Sequence, residues 1–540
     1  MSILRLAKLH VALMTVTWVA SGTLYPCGVS KVPPLQPRQP DEILQASLLR
    51  PEAYPHAADR LQVIETHASR VFLAGKWAYK ILRPVHYGFL DYGTLAARHR
   101  VLEAEYRINR AFTAILYDRV LPIYGTPDAP RWEPSQADEP VLEYALRMHR
   151  FEQADLLSAQ ADESRLSAEA MDEAADRLVA WQKQAPAVVT GAPWGTPVDV
   201  RRWMDENFDT LDRLFADPTW ALSMGLEAAA HYHRLRTRYE ARRVVADQCF
   251  AQRREAGFVR AGHGDLHLGN MVALPQGIRF FDAIAFSESL RWIDTISELA
   301  FPVMDLADRG SRTWSWRFLN RVLSGTGDYA GLAVLPDYLI YRALVRAKVL
   351  GLRFAEGDAA SVQHLLRYAD GVMQPGMLRL ELTHGVSGSG KSTGAMRISE
   401  NEGMVWLRSD VERKRLFGLS AETRADAAVG EGLYTPEATR RTQAHLLMLV
   451  ETVLQAGFSV IMDGTFLQRA DRAPYQALAS RLGAAYAVRV FDAPEGVLKQ
   501  RIARRRAVGT DPSDATEAVL AAQLRRVEPP HAPAEPWRPG

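Results

Sequence analysis

The chain has 540 residues with 47% hydrophobic and 24% charged side chains, a balance of soluble globular proteins with room for more than one core. Its formal net charge of +2 gives no overall pull toward nucleic acid or an anionic membrane, so any basic site must be local. The two cysteines, Cys27 and Cys249, exclude a disulfide framework and a zinc cage and read as free thiols of a reducing compartment.

At the N-terminus, Arg5 and Lys8 precede an apolar run from Val11 to Leu24 that looks like a secretory signal. Thr15, Thr17, Ser21 and Gly22 interrupt the run, which is too short for a spanning helix, so stable membrane insertion is not expected. A non-functional extension and an early start codon are the other two readings. Pro33-Pro34 and the prolines from Pro37 to Pro40 complete an extension and linker over residues 1–40, and folded sequence is expected from near Asp41.

From Leu61 to Leu82 the pattern predicts strands around turns: Gln62 to Glu65, the turn Thr66–Ser69, Val71 to Leu73, a turn at Gly75-Lys76, and Ala78 to Leu82. Lys80 among strand formers suits a cation reaching α- and β-phosphates; an edge-strand surface lysine is the plain alternative. Arg98 to Phe112 reads as a helix with Glu103 and Glu105, and Glu105 is the expected partner that holds Lys80. No G-x-G-x-x-G covers this hairpin, so phosphate cover falls to the Thr66–Ser69 turn. Val141 to Met148 reads as a strand-like hinge touching a base. Ala161 to Arg253 reads as mostly helical, broken near Pro186 to Pro197.

The chemistry gathers in His263-Gly-Asp265-Leu-His267-Leu-Gly-Asn270, followed by Phe280-Phe281-Asp282. Phosphoryl transfer needs a carboxylate to hold an acceptor hydroxyl and oxygen ligands for the magnesium bridging the phosphates. Asp265 fits the base, and Asn270 and Asp282 fit the metal ligands, at the spacing of kinase catalytic loops. Ser287 to Leu306 and Tyr338 to Phe354 read as helices, with Asp294, Asp305, Arg342, Arg346 and Lys348 in scaffold roles.

Lys80, Glu105, the 263–270 loop and Asp282 resemble the aminoglycoside phosphotransferase, choline-kinase-like branch of the protein-kinase-like fold. The segments 65–84, 98–110, 280–305 and 338–353 resemble the bacterial bifunctional aminoglycoside phosphotransferase and ATP-binding chains more closely. The resemblance covers about 40 to 370 and implies that Lys80 binds ATP phosphates, Glu105 orients it, Asp265 is the base, and Asn270 and Asp282 hold magnesium. One departure is Ala285, where that subgroup tends to carry an acid.

A joint at Asp370 to Gly376 leads to the strand Leu378 to His384 and then Gly385-Val-Ser387-Gly388-Ser389-Gly390-Lys391-Ser392-Thr393. Strand, G-x-x-x-x-G-K-S, helix is the context of a P-loop, whose backbone N–H groups ring a phosphate at a helix N-terminus. Lys391 is expected at the β- and γ-phosphates and the Ser392 hydroxyl at magnesium. Two further strands run into Arg408-Ser409-Asp410 and Asp463-Gly464-Thr465; at carboxyl strand ends, Asp410 suits an acceptor base and Asp463 a metal-water ligand. Arg501 and Arg504 suit a lid that clamps transferred phosphate. The arginine run could also meet a nucleic-acid backbone, but no aromatic interleaving supports base stacking. Gly509 to Ala515 reads as a helix-capping turn and residues 529–540 as a disordered tail.

This half resembles the P-loop kinases related to polynucleotide kinase, gluconate kinase and zeta toxin within the AAA family, over about 378 to 528. The expected architecture is therefore α/β plus α+β: a protein-kinase-like bilobal domain over 41–370, then a P-loop NTPase domain over 378–528 with a doubly wound parallel sheet. The expected activity is ATP- and magnesium-dependent transfer to a hydroxyl of a small molecule, in the cytoplasm. The alternative is a regulatory protein in which one module binds ATP without transferring it. Neither the acceptor nor the oligomeric state is written in the sequence.

Overall fold

The computed structural model describes residues 40–66, 68–87, 90–353, 358–374, 376–421, 423, 433, 435–508, 516–531 and 535–540. The N-terminal extension with Cys27, His67 of the Thr66–Ser69 turn, Pro375 of the joint and the Gly509–Ala515 turn lie outside the described residues.

The first lobe is an antiparallel sheet. Its strands are β1 (Gln62–Glu65), β2 (Ser69–Ala74), β3 (Trp77–Leu82), β4 (Tyr117–Thr126), β5 (Ala129–Arg131) and β6 (Glu143–His149), in the order β1-β2-β3-β6-β4-β5. Both faces are covered, as the dense β-branched and aromatic runs require. Phe72, Ala74, Tyr79 and Ile81 pack with Leu44 and Leu48 of helix α1 (Pro40–Leu48). Leu82 packs from the other face with Leu102 of α2 (Leu95–Thr113) and with Phe281. Side chains alternate along β3, so Ala78, Lys80 and Leu82 share the face turned toward α2.

The second lobe is mostly helical: α3 (Ala168–Gln184), α4 (Pro197–Phe215) and α5 (Pro218–Glu255) precede the 263–270 loop. Strand β7 (Val259–Ala261) enters that loop, and the hairpin β8 (Met271–Leu274) and β9 (Gly277–Phe280) leaves it for Asp282. The helix expected over 287–306 is interrupted. Trp292–Asp294 forms β10, antiparallel to β7, and α6 (Thr295–Asp308) starts after it. The break has a cause: Asp294 accepts the Ile296 N–H at 2.8 Å as the helix cap while Arg253 holds its carboxylate at 2.7 and 2.9 Å. Helices α7 (Arg312–Thr326) and α8 (Leu335–Arg353) follow, and a last helix over Asp358–Val372 packs on the same core. The first half thus has two lobes, a small antiparallel sheet and a larger helical body.

The second half is a parallel sheet. Strands β11 (Arg379–His384), β12 (Val405–Arg408), β13 (Val460–Asp463), β14 (Ala485–Val490) and β15 (Trp537–Pro539) lie in the order β12-β13-β11-β14-β15. Residues 535–540, expected to be disordered, instead supply the edge strand β15, and Glu535 takes a two-pronged grip from Arg472 at 2.8 Å on each oxygen.

The halves share one hydrophobic core, which runs from Leu157 through Phe318 and Leu323 of α7 to Leu380, Val405 and Met462 of the sheet. At the sheet edge, Asn320 of α7 donates to Met404 O at 3.0 Å and accepts from Trp406 N at 2.8 Å. One side-chain amide thus does for β12 what a neighbouring strand would, and the edge is covered. Among the described residues no helix is long and apolar enough to cross a membrane.

Candidate functional site

Lys80 is half-buried at the polar end of a cleft whose walls include Val71, Leu73, Ala78, Met148, Phe151 and Phe281. The lysine reaches Glu105 Oε1 at 2.7 Å and Asp282 Oδ1 at 2.9 Å. Glu103, the other acid weighed for this contact, faces His99 instead. Burial works against the ammonium, but the charges of Asp282 and Glu105 outweigh it and lift the Lys80 pKa well above the usual lysine range. Burial raises Glu105, whereas at Asp282 the effect of burial is overcome by the Lys80 charge and the pKa falls. Of the expected hinge strand Val141 to Met148, Met148 lines the cleft, and the lining continues through His149, Arg150 and Phe151, with Ser69 of the expected cover turn.

Asp282 has φ of 61°, a strained conformation for a residue with a Cβ. Two side chains hold it: its N–H donates to the Tyr117 hydroxyl at 2.9 Å, and the next N–H, of Ala283, donates to Asn109 Oδ1 at 2.7 Å. Neither residue was singled out from sequence. Asn109 carried a signal, since it stands one turn after Glu105 on the same helix face.

The 263–270 loop is fixed from the core side. Glu298 accepts the N–H groups of His263 and Gly264, Arg342 donates to Gly264 O at 2.9 Å, and Asp305 accepts the Leu268 N–H at 2.9 Å. Arg346, at 2.8 Å, and Arg309, at 3.1 Å, hold the Asp305 carboxylate, so its pKa settles at about 2 although burial opposes ionisation. Asp265 has no such pair, and burial pushes it up to about 7. His263 Nε2 donates to Phe281 O at 2.8 Å, tying the loop to the Asp282 segment; burial lowers its pKa to about 4 and keeps it neutral.

Asn270 donates from Nδ2 to Asp265 O at 2.8 Å, and its buried Oδ1 has no hydrogen-bond partner. A buried oxygen aimed at nothing in the protein suits a hard cation, so Asn270 and Asp282 fit a magnesium site. Among the described residues no three His, Cys, Asp or Glu side chains gather around a common metal position, and Ala285 adds no third acid. Such a site would rely on phosphate and water for its remaining ligands, as magnesium sites usually do.

The second site lies at the carboxyl ends of the parallel strands. The loop after β11 turns through Gly385, Gly388 and Gly390 at φ of 153°, 85° and 98° before α9 (Lys391–Glu402). A Cβ on Gly388 would sit 2.8 Å from Leu498 O and one on Gly385 2.4 Å from Phe491 O, so only glycine fits at either position. Lys391 is buried and donates to Val386 O at 2.8 Å. Burial lowers it to about 8, against the opposing charges of Asp463 and Asp410. Ser389 Oγ is buried without a partner, Ser392 is half-buried in the first turn, and Thr393 is exposed.

Asp463 ends β13, the strand beside β11, and Thr383 fixes its exit by bonding Gly464 O at 2.7 Å and Gly464 N at 3.0 Å. Asp410 stands in the first turn of α10 (Ser409–Leu416), half-buried, its pKa raised by burial and then by Asp463. On α11 (Glu495–Val508), Arg501 donates to Gly388 O at 3.1 Å and the charge of Arg505 bears on Lys391, while Arg504 is exposed. A residue that sequence reasoning missed also reaches the loop: Gln523 accepts the Ser387 N–H at 2.7 Å from 136 residues away.

A family model described as an AAA domain matches residues 380–530. An uncharacterized protein of Mycobacterium tuberculosis is 28% identical over 470 residues, covering 86% of this chain and 90% of that protein. Among solved structures, a choline/ethanolamine kinase family protein of Mesorhizobium loti is 12% identical, with a TM-score of 0.39 over 62% of this chain and 95% of that one. A sugar kinase of Janibacter sp. is 22% identical, with a TM-score of 0.24 over 30% of this chain and 84% of that one.

Proposed function

We propose that the chain is an ATP-dependent phosphotransferase with two nucleotide sites, each moving the γ-phosphoryl group to a hydroxyl acceptor. The observation that carries the reading is Lys80 bound to both Glu105 and Asp282 at the end of a cleft with apolar walls. The cleft offers a planar base an apolar slot, and the lysine offers its phosphates a fixed positive charge. The P-loop and its two strand-end acids support the same reading for the second site.

In the first site Asp265 accepts the proton of the acceptor hydroxyl. The freed oxygen bonds to the γ-phosphorus as the bond to the β-phosphate oxygen breaks, and ADP leaves. Asp265 suits this role because burial gives it an appetite for a proton near neutral pH. Magnesium, held by Asn270 and Asp282, would neutralise charge across the phosphates; Lys80 does the same from the protein side. In the second site Asp410 takes the hydroxyl proton, Lys391 and the loop amides hold the phosphates, Ser392 and Asp463 fit the metal and its water, and Arg501 stands at the loop's rim.

The test is ADP release across a panel of hydroxyl compounds by wild type, Asp265→Ala and Lys391→Ala. Each variant should lose one activity by about 10²-fold or more and keep the other. Ala285 favours a second reading for the first module alone, in which it binds ATP as a regulatory ligand. Calorimetric ATP binding at that site with no phosphorylated product from any panel member would establish that reading instead.

A further inference from the structure

The Val386–Ser387 peptide unit is held at both ends. Its carbonyl accepts from Lys391 Nζ at 2.8 Å, and its N–H donates to Gln523 Oε1 at 2.7 Å. We propose that Gln523 is a positioning residue for Lys391: by taking the Ser387 N–H it locks this peptide with its carbonyl turned toward the lysine, so that the ammonium is held over the phosphate cradle.

Two features support a lock. Gln523 projects from an anchored helix, α12 (Glu517–Leu524), whose Leu520 packs with Val386, Leu498 and Ile502 in a small core beneath the loop. The chain after that helix is fastened too, since Glu528 N donates to Leu467 O at 2.9 Å. A trans peptide points its C=O and N–H in opposite directions, so a bond that fixes one fixes the other. Bonds at both ends also polarise the unit and strengthen each other. Without an acceptor on the N–H, the carbonyl is left to the lysine and to the Ser389 N–H at 3.2 Å, and the plane of the peptide is less firmly held toward the lysine.

The inference rests on the reading of 385–393 as a phosphate-binding loop, and one cycle of variants separates the two. MgATP affinity is measured by calorimetry in a Lys80→Ala background, which leaves only the second site, for Gln523→Met, Lys391→Ala and the pair together. Methionine keeps the length and removes the acceptor. Gln523→Met should weaken binding about tenfold, the scale of one lost hydrogen bond to a loop that must stay ordered. Because glutamine acts through the lysine, the double variant should bind no more weakly than Lys391→Ala alone. Parental affinity in Gln523→Met, or a further tenfold loss in the double variant, overturns the proposal. Parental affinity in Lys391→Ala overturns the phosphate-loop reading itself, whatever Gln523 does.

Discussion

Lys80 and Asp282 meet at 2.9 Å although 202 residues separate them. Strand β3 delivers the one and the β8–β9 hairpin the other, across the cleft between the two lobes. The contact ties the lobes across the cleft through one ammonium shared by two carboxylates.

Lys80→Met should therefore do two things. It should remove nucleotide binding at the first site, and it should destabilise the fold by about 3–5 kcal/mol, because Glu105 and Asp282 are left without their cation. The destabilisation should shrink as pH is lowered and those acids take up protons. Urea unfolding at pH 8 and pH 5 checks both the size and the trend; an equal loss at the two values contradicts it.

With its pKa raised to about 7, Asp265 in the proposed role of base would be protonated and idle in acid. In a Lys391→Ala protein, kcat/KM of the first site should rise with pH to a plateau above about 7. Its folded pKa lies above the unfolded value, so the ionised carboxylate costs stability as pH rises between the two. Asp265→Asn should then abolish turnover while raising Tm at pH 8. An acid limb near pH 4, or a lower Tm for the variant, would speak against this.

Asp305 is the reverse case. Its pKa of about 2 lies below the unfolded carboxylate value, so its stabilisation is present above that value and fades as pH falls toward 2. Asp305→Ala leaves Arg346 and the Leu268 N–H without their acceptor. We expect a loss of about 3–5 kcal/mol in denaturant unfolding at pH 7 and disruption of the 263–270 loop, seen as faster amide exchange there.

The shared core predicts that the two halves unfold together. Calorimetry of the wild type should give one cooperative transition, and Asn320→Ala should lower it by about 1–3 kcal/mol by leaving Met404 O and Trp406 N unpaired. Two well-separated transitions in the wild type would count against a common core.

What could be read in advance was what sits close together in sequence. Strand, glycine loop and helix at 378–402 are one continuous motif, and its chemistry is local. The 263–270 loop was legible for the same reason. The pairing of Lys80 with Glu105 spans two elements, and the helix pattern over 98–112 offers Glu103 as well as Glu105. What stayed hidden depends on distant packing. Gln523 has no local mark, and only the folding of α12 onto Val386 brings it to the loop. Arg505 rather than Arg504 bears on Lys391 because of how α11 is rotated on its small core, which a run of arginines does not reveal. The tail around Trp537 reads as disordered from sequence, yet an edge strand tolerates its proline, and Arg472 waits in the core for Glu535.

The central claim is that one chain holds two separate triphosphate pockets. Its most direct test is the stoichiometry of ATP binding by calorimetry in magnesium buffer. Wild type should take up two equivalents per chain, Lys80→Ala and Lys391→Ala one each, and the double variant none. A wild-type protein that saturates with a single equivalent, or one whose uptake falls to zero with either lysine alone, would contradict the account.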